Sequence, residues 1–213
     1  ASYGAVADLQ QSSLYLGKLI VQSAVKGIST AAISAFTATT RVENFSQAFG
    51  ISGCEAIAIF VAQNQGAKKH RRALDGFRNG AAMVVGIGVV FSLLLTFGGH
   101  ALVTPFLDGD GESIALGASY LLWMGPFYFL SFIGHSYVGH YRGIGRMNVT
   151  FIGTTLQIAV RVIGTYALVG LLGLNAVALA TGLGWVVIVL FHSTVFVLEL
   201  KGIGYRLPTR DEA

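Results

Sequence analysis

The chain has 213 residues, of which 54% are hydrophobic and 11% charged, and its mean hydropathy is +0.66. A soluble domain carries roughly 25% charged residues, so this composition excludes a chain that wraps itself in a wetted surface. The net charge of +4 and pI near 9.3 do not indicate a nucleic-acid partner, because the positive charges fall between apolar blocks, where membrane topology accounts for them.

In chain order, no basic-then-apolar-then-cleavage pattern marks a signal peptide, and a chain opening at Ala1 rather than Met reads as a piece of a longer one. The first apolar segment, Leu9 to Lys26, is interrupted only by Lys18. The second, Ala31 to Gln63, is longer and more polar; an interface-lying amphipathic helix is its alternative reading. Ala81 to Leu107 and Ser113 to Tyr141 contain no Asp, Glu, Lys or Arg. Val162 to Leu198 is also free of them, is too long for one crossing, and is divided at Gly170–Asn175. Since a crossing needs about 20 apolar residues, the expectation is an all-α membrane protein. Its single lobe has transmembrane helices near 5–27, 31–64, 80–104, 114–140, 148–170 and 176–199. The 28 glycines suit helices that approach closely in lipid, and Pro126 is expected to kink its helix.

Loop charge then predicts orientation. Lys68, Lys69, Arg71, Arg72 and Arg78 fall between the second and third segments, Arg142 and Arg146 between the fourth and fifth, and Lys201, Arg206 and Arg210 after the sixth. The opposite side offers Lys26 and an acidic loop holding Asp108, Asp110 and Glu112. The positive-inside tendency therefore places both termini in the cytoplasm of a multi-pass protein of the cell membrane.

Five ionisable residues fall inside apolar segments: Lys18, Arg41, Glu43, Glu55 and Arg161. Each is costly in lipid and is a functional candidate. With a turn near Ser29, Lys18 sits about 16 Å and Glu43 about 21 Å below it, and Arg161 lies about 20 Å from Met147, from the helical rise. A mid-depth group of Lys18, Glu43 and Arg161 follows, with Arg41 on another face and Glu55 nearer the cytoplasmic end. Such a carboxylate either binds and releases a coupling proton or Na⁺ under the influence of basic neighbours, or forms a static salt bridge. Glu55 can also snorkel to the interface.

The aromatic residues of the fourth segment, among them Tyr120, Trp123, Tyr128 and Tyr137, read as packing and interfacial anchors, or as a surface for a lipophilic cation. Cys54, the lone cysteine, reads as a buried inert thiol. His135 and His140 are wrongly spaced to share a metal. No phosphate-cradling glycine loop, His-Glu-x-x-His or Cys-x-x-Cys is present, so no metal, cofactor or enzymatic activity is expected, and transport would draw on an ion gradient.

Residues 32–45, Ala-Ile-Ser-Ala-Phe-Thr-Ala-Thr-Thr-Arg-Val-Glu-Asn-Phe, precede Val-Ala-Gln-Asn-Gln-Gly-Ala at 61–67. Tyr-Arg-Gly-Ile-Gly-Arg follows at 141–146, then Arg161-Val-Ile-Gly, Gly173-Leu-Asn-Ala-Val-Ala-Leu-Ala and Gly184-Trp185. In order and spacing this resembles the multidrug and toxic compound extrusion (MATE) family over nearly the whole chain. Ala7 and Leu14 depart from it, standing near the places of a proline and, in some Na⁺-coupled members, an acid. The resemblance implies the C-terminal six-helix half of a two-lobed antiporter. Its partners would be the bilayer, an N-terminal half (in the same chain or a second copy) and a small organic cation exported against H⁺ or Na⁺. Glu43, Lys18, Arg161 and Glu55 would serve cation coupling, and Gln22, Arg41 and Tyr137 would line the substrate cavity. The alternatives are a lipid-linked oligosaccharide flippase of the same superfamily, favoured by a cationic cavity, and a structural half-unit that assembles with a partner half.

Overall fold

The computed structural model describes residue 12 and residues 16–201. The start expected for the first helix, with Ala7 and Leu14, and the basic residues Arg206 and Arg210 lie outside the described residues. All secondary structure among them is helical: α1 over residues 16–26, α2 Thr30–Gly66, α3 His70–Val103, α4 Gly111–Gly143, α5 Met147–Leu172 and α6 Leu174–Leu200, with a 3-10 turn at Thr104–Phe106. α2 to α6 are long and apolar enough to cross a membrane. Helix is the expected answer, because each backbone N–H and C=O in hydrocarbon must find its partner within the segment.

Local chemistry sets the helix ends. Ser29 caps α2 by accepting from the Ala32 amide at 3.0 Å, and Asp110 caps α4 by accepting from Glu112 at 3.2 Å. The Ser113 hydroxyl also donates to Asp110 and, with the amides of Ser113 and Glu112, holds its exposed carboxyl below the usual carboxylate range. The cap is therefore fully charged above that range and lost only as pH falls through the lowered pKa. Between α5 and α6 the reversal tightens to Gly173 alone, whose φ of 54° suits a residue without Cβ.

The start of α3 differs from the sequence expectation. The helix begins at His70 rather than near 80, so Arg71, Arg72 and Arg78 lie on its first turns instead of in a loop. Hydropathy locates where lipid begins, whereas a helix continues into water while its residues permit; Arg71 to Gly80 contains no proline.

α4 is the axis of the bundle. It packs against α2, α3 and α6, while α5 rests mainly on α6. α1 leans on α5, where Gly17 meets Ile158 and the Tyr166 hydroxyl donates to the Ile20 carbonyl at 3.2 Å. The side chains filling the centre include Tyr120, Leu121, Met124, Tyr128 and Phe132, all fully buried on α4. At the proline, the Ser92 hydroxyl of α3 donates to the Gly125 carbonyl, an interhelical bond of the kind that serves membrane bundles.

Small residues permit the closest approach. A Cβ added at Gly139 would sit 2.5 Å from the Cys54 carbonyl oxygen of α2, a backbone atom that cannot swing aside. Gly86, on the exposed side of α3, would meet nothing within 4 Å. Gly139→Ala should therefore destabilise the bundle by about 1–3 kcal/mol, whereas Gly86→Ala should be neutral or gain about 0.5–1 kcal/mol. Melting of the two variants in one detergent checks this; equal shifts would contradict the close packing of α2 on α4.

Candidate functional site

The seam where α2 and α4 face α5 and α6 holds a cavity of 480 Å³, with Lys18 of α1 on its edge. Each wall comes from one face of a helix. On α2 the lining positions are Glu43, Asn44, Gln47, Ile51, Cys54 and Glu55, a stripe at three-to-four-residue spacing. α4 adds Ser131, Gly134, His135, Val138 and Arg142; α5 adds Thr154, Gln157 and Arg161; α6 adds Thr181, Trp185 and Ile188. From Glu43 to Glu55 the stripe runs about 18 Å toward the end of the bundle that bears the basic turns.

Glu43 is held by its own backbone and by its neighbours. Tyr128 donates to its carbonyl at 3.2 Å and exchanges a 2.5 Å hydrogen bond with Ser46, fixing α2 against α4. Three groups from three helices act on its carboxylate: Arg161 of α5, Lys18 of α1, and the hydroxyl of fully buried Tyr120 of α4. Neither cation closes an ion pair with it, and Arg161 Nε and the Tyr120 hydroxyl are buried without a fully formed hydrogen bond. The carboxylate thus sits within the field of two cations and beside the Tyr120 hydroxyl, and it is ion-paired with neither cation.

Further along the cavity, Gln47 donates to Ser131 at 3.2 Å, and the Nδ1 of His135 meets the Ser131 carbonyl at 2.7 Å. Arg142 and Glu55 both lie close to buried Cys54. No three His, Cys, Asp or Glu side chains converge among the described residues.

Of the residues singled out from sequence, Glu43, Lys18, Arg161 and Glu55 all line this cavity. Gln22, Arg41 and Tyr137 do not. Gln22 is exposed on α1. Arg41 is exposed at the opposite end of the bundle, where it lies over the Phe106 ring at 5.8 Å and shares a depression with Asp108 and Asp110. Tyr137 belongs to an aromatic knot with Phe77, Phe196 and His192, and Ser193 donates to its oxygen at 3.2 Å. Two lining polar residues that sequence reasoning missed, Gln47 and Gln157, were signalled by their spacing: Gln47 stands four residues after Glu43, and Gln157 four before Arg161.

A multi-pass helical bundle with a charged cavity opening off its seam is the build of one lobe of a membrane transporter. The MatE family model matches residues 9–167, and the chain belongs to that family. No curated relative matches it. Among solved structures, it is similar to a MOP superfamily transporter from Pyrococcus furiosus at 18% identity and a TM-score of 0.83, covering 95% of this chain and 46% of that one. It is also similar to a multidrug resistance MATE family transporter of the same superfamily. The outward-facing conformation gives 20% identity, a TM-score of 0.81 and 96% and 45% coverage. The inward-facing one gives 20%, 0.78, and 92% and 46%. At such identities the likeness is one of fold, and the chain spans about half the length of these transporters.

Proposed function

We propose that the chain is one lobe of a secondary active antiporter that exports amphipathic organic cations in exchange for H⁺ or Na⁺, with Glu43 as the coupling group. The observation that carries this reading is a mid-membrane carboxylate that faces a cavity, is flanked by two cations and is locked to neither. A bare charge is costly at that depth. A proton, a Na⁺ or a cationic cargo each cancels the charge of Glu43, so they compete for it, and that competition is what exchange requires. A partner lobe would close the other side of the cavity, and rocking of the two lobes would expose it alternately. The basic turns would face the cytoplasm.

The cavity also favours a second reading. Lys18, Arg142 and Arg161 outnumber Glu43 and Glu55 along its walls, which suits an acidic headgroup such as that of a lipid-linked sugar. The polarity theme has a parallel: for the Pyrococcus furiosus transporter, a reversed polarity of the binding pocket has been taken to suggest a different function.

Proteoliposomes separate the two. With an imposed pH or Na⁺ gradient, vesicles containing the protein should move ethidium against its concentration, and collapsing the gradient should stop it. Movement of a fluorescent lipid-linked pyrophosphate in place of ethidium would select the second reading. Ethidium movement indifferent to either gradient would overturn ion coupling.

A further inference from the structure

The first turns of α3 carry a charge pattern that the cavity does not use. Lys68 and Lys69, in the turn before the helix, and Arg71, Arg72 and Arg78 on it are all exposed, and among the described residues none of them closes an ion pair. Asp75 is the one acid among residues 67–82. Lys69 stands at the helix cap without a side-chain hydrogen bond, so no side chain caps the first amides of α3, and a helix start in that state favours an anion.

Further along, the same side of α3 is apolar and exposed at Met83, Val89, Val90, Leu93 and Phe97. At about 100° per residue, Arg71, Arg78, Val89 and Leu93 fall within about 60° of one another, and Arg72, Val90 and Phe97 within about 20°. Each strip therefore starts with arginine and continues with side chains suited to acyl chains. The change from Arg78 to Met83 takes about 8 Å of helix, comparable with the step from headgroup layer to hydrocarbon.

We infer that the turn at 67–69 and the first turns of α3 form a docking surface for an anionic phospholipid in the leaflet at the basic end. Arg71, Arg72 and Arg78 hold its phosphodiester, and its chains lie along Met83, Val90 and Phe97. The occupant follows from two features together: five bases against one acid require an anion, and continuity with an apolar, exposed face requires that the anion carry acyl chains. A soluble phosphate would leave that face unused. The site does not depend on what the cavity transports.

The test reconstitutes the protein in nanodiscs of phosphatidylcholine alone or mixed with phosphatidylglycerol, and measures co-purifying lipid by native mass spectrometry. Phosphatidylglycerol should be retained in preference, and the preference should fall by about five-fold for each of Arg71→Gln, Arg72→Gln and Arg78→Gln. Lys201→Gln, at the same end but off this face, should leave it unchanged. If a glutamine variant does not fold, the salt dependence of the unaltered protein still decides. Raising NaCl should weaken retention of phosphatidylglycerol and spare phosphatidylcholine. Equal retention of the two lipids, a preference untouched by the three substitutions, or one equally lost in Lys201→Gln would each overturn the assignment.

Discussion

Glu43→Gln is expected to abolish gradient-driven transport while leaving the lobe folded. Glutamine keeps the shape of the side chain and can face the Tyr120 hydroxyl as glutamate does, but it carries no proton in exchange. A gradient acts on cargo only through a group whose occupancy by the ion changes cargo affinity. For a typical coupling free energy, that change is about 5- to 150-fold between the two states. In Glu43→Gln it should collapse to unity, so that binding of a cationic dye becomes flat with pH. Arg161→Gln provides the contrast: the titrating carboxyl is still present, and a pH dependence should survive with a moved midpoint. A Glu43→Gln variant whose dye affinity still varies with pH as before would assign Glu43 to packing alone.

The second large effect concerns the basic end of the bundle. Arg146, at the turn into α5, forms an ion pair with Glu199 near the end of α6. The two partners are unequal: Arg146 is 30% exposed and Glu199 only 2%. Removing one member leaves the other, and the cost depends on whether the survivor can reach water. Arg146→Ala strands a buried carboxylate and should destabilise the protein by about 3 kcal/mol or more. Glu199→Gln leaves a guanidinium that can turn outward and should cost about 1 kcal/mol or less, as for a surface pair. Thermal unfolding of both variants, in the same detergent, measures the asymmetry. Equal destabilisation would show that Glu199 reaches solvent by another route.

Much of this architecture is legible in the sequence, because lipid imposes long uncharged runs and charged residues can end them only at the edges. α4 and α6 fall close to where the runs between Ser113 and Tyr141 and after Asn175 place them. α3 shows what the rule misses: the apolar run marks its membrane part, while the helix itself begins ten residues earlier, at His70 instead of 80. In the cavity, depth along a helix could be counted from sequence, so Lys18, Glu43 and Arg161 could be set at one level. Which way a side chain faces could not be counted for an isolated polar residue. Arg41 and Glu43 are only two positions apart, yet on a helix they diverge by about 200°. One meets Phe106 and the other the cavity. Tyr137 lies off this cavity for a related reason, since an aromatic side chain can serve a cavity wall or a packed knot equally well. Its partners Phe77 and Phe196 come from α3 and α6, a contact that only the tertiary arrangement reveals.

The decisive measurement is the infrared difference spectrum of the reconstituted protein, recorded on adding cationic dye at fixed pH and again for Glu43→Gln. If Glu43 surrenders its proton as cargo arrives, the carboxylic-acid stretch should diminish in the unaltered protein, and that signal should vanish from the variant. With Na⁺ left out of the medium, so that a proton is the only ion available to exchange, an unchanged spectrum on addition of dye, or an identical signal in both proteins, would contradict proton coupling through this side chain.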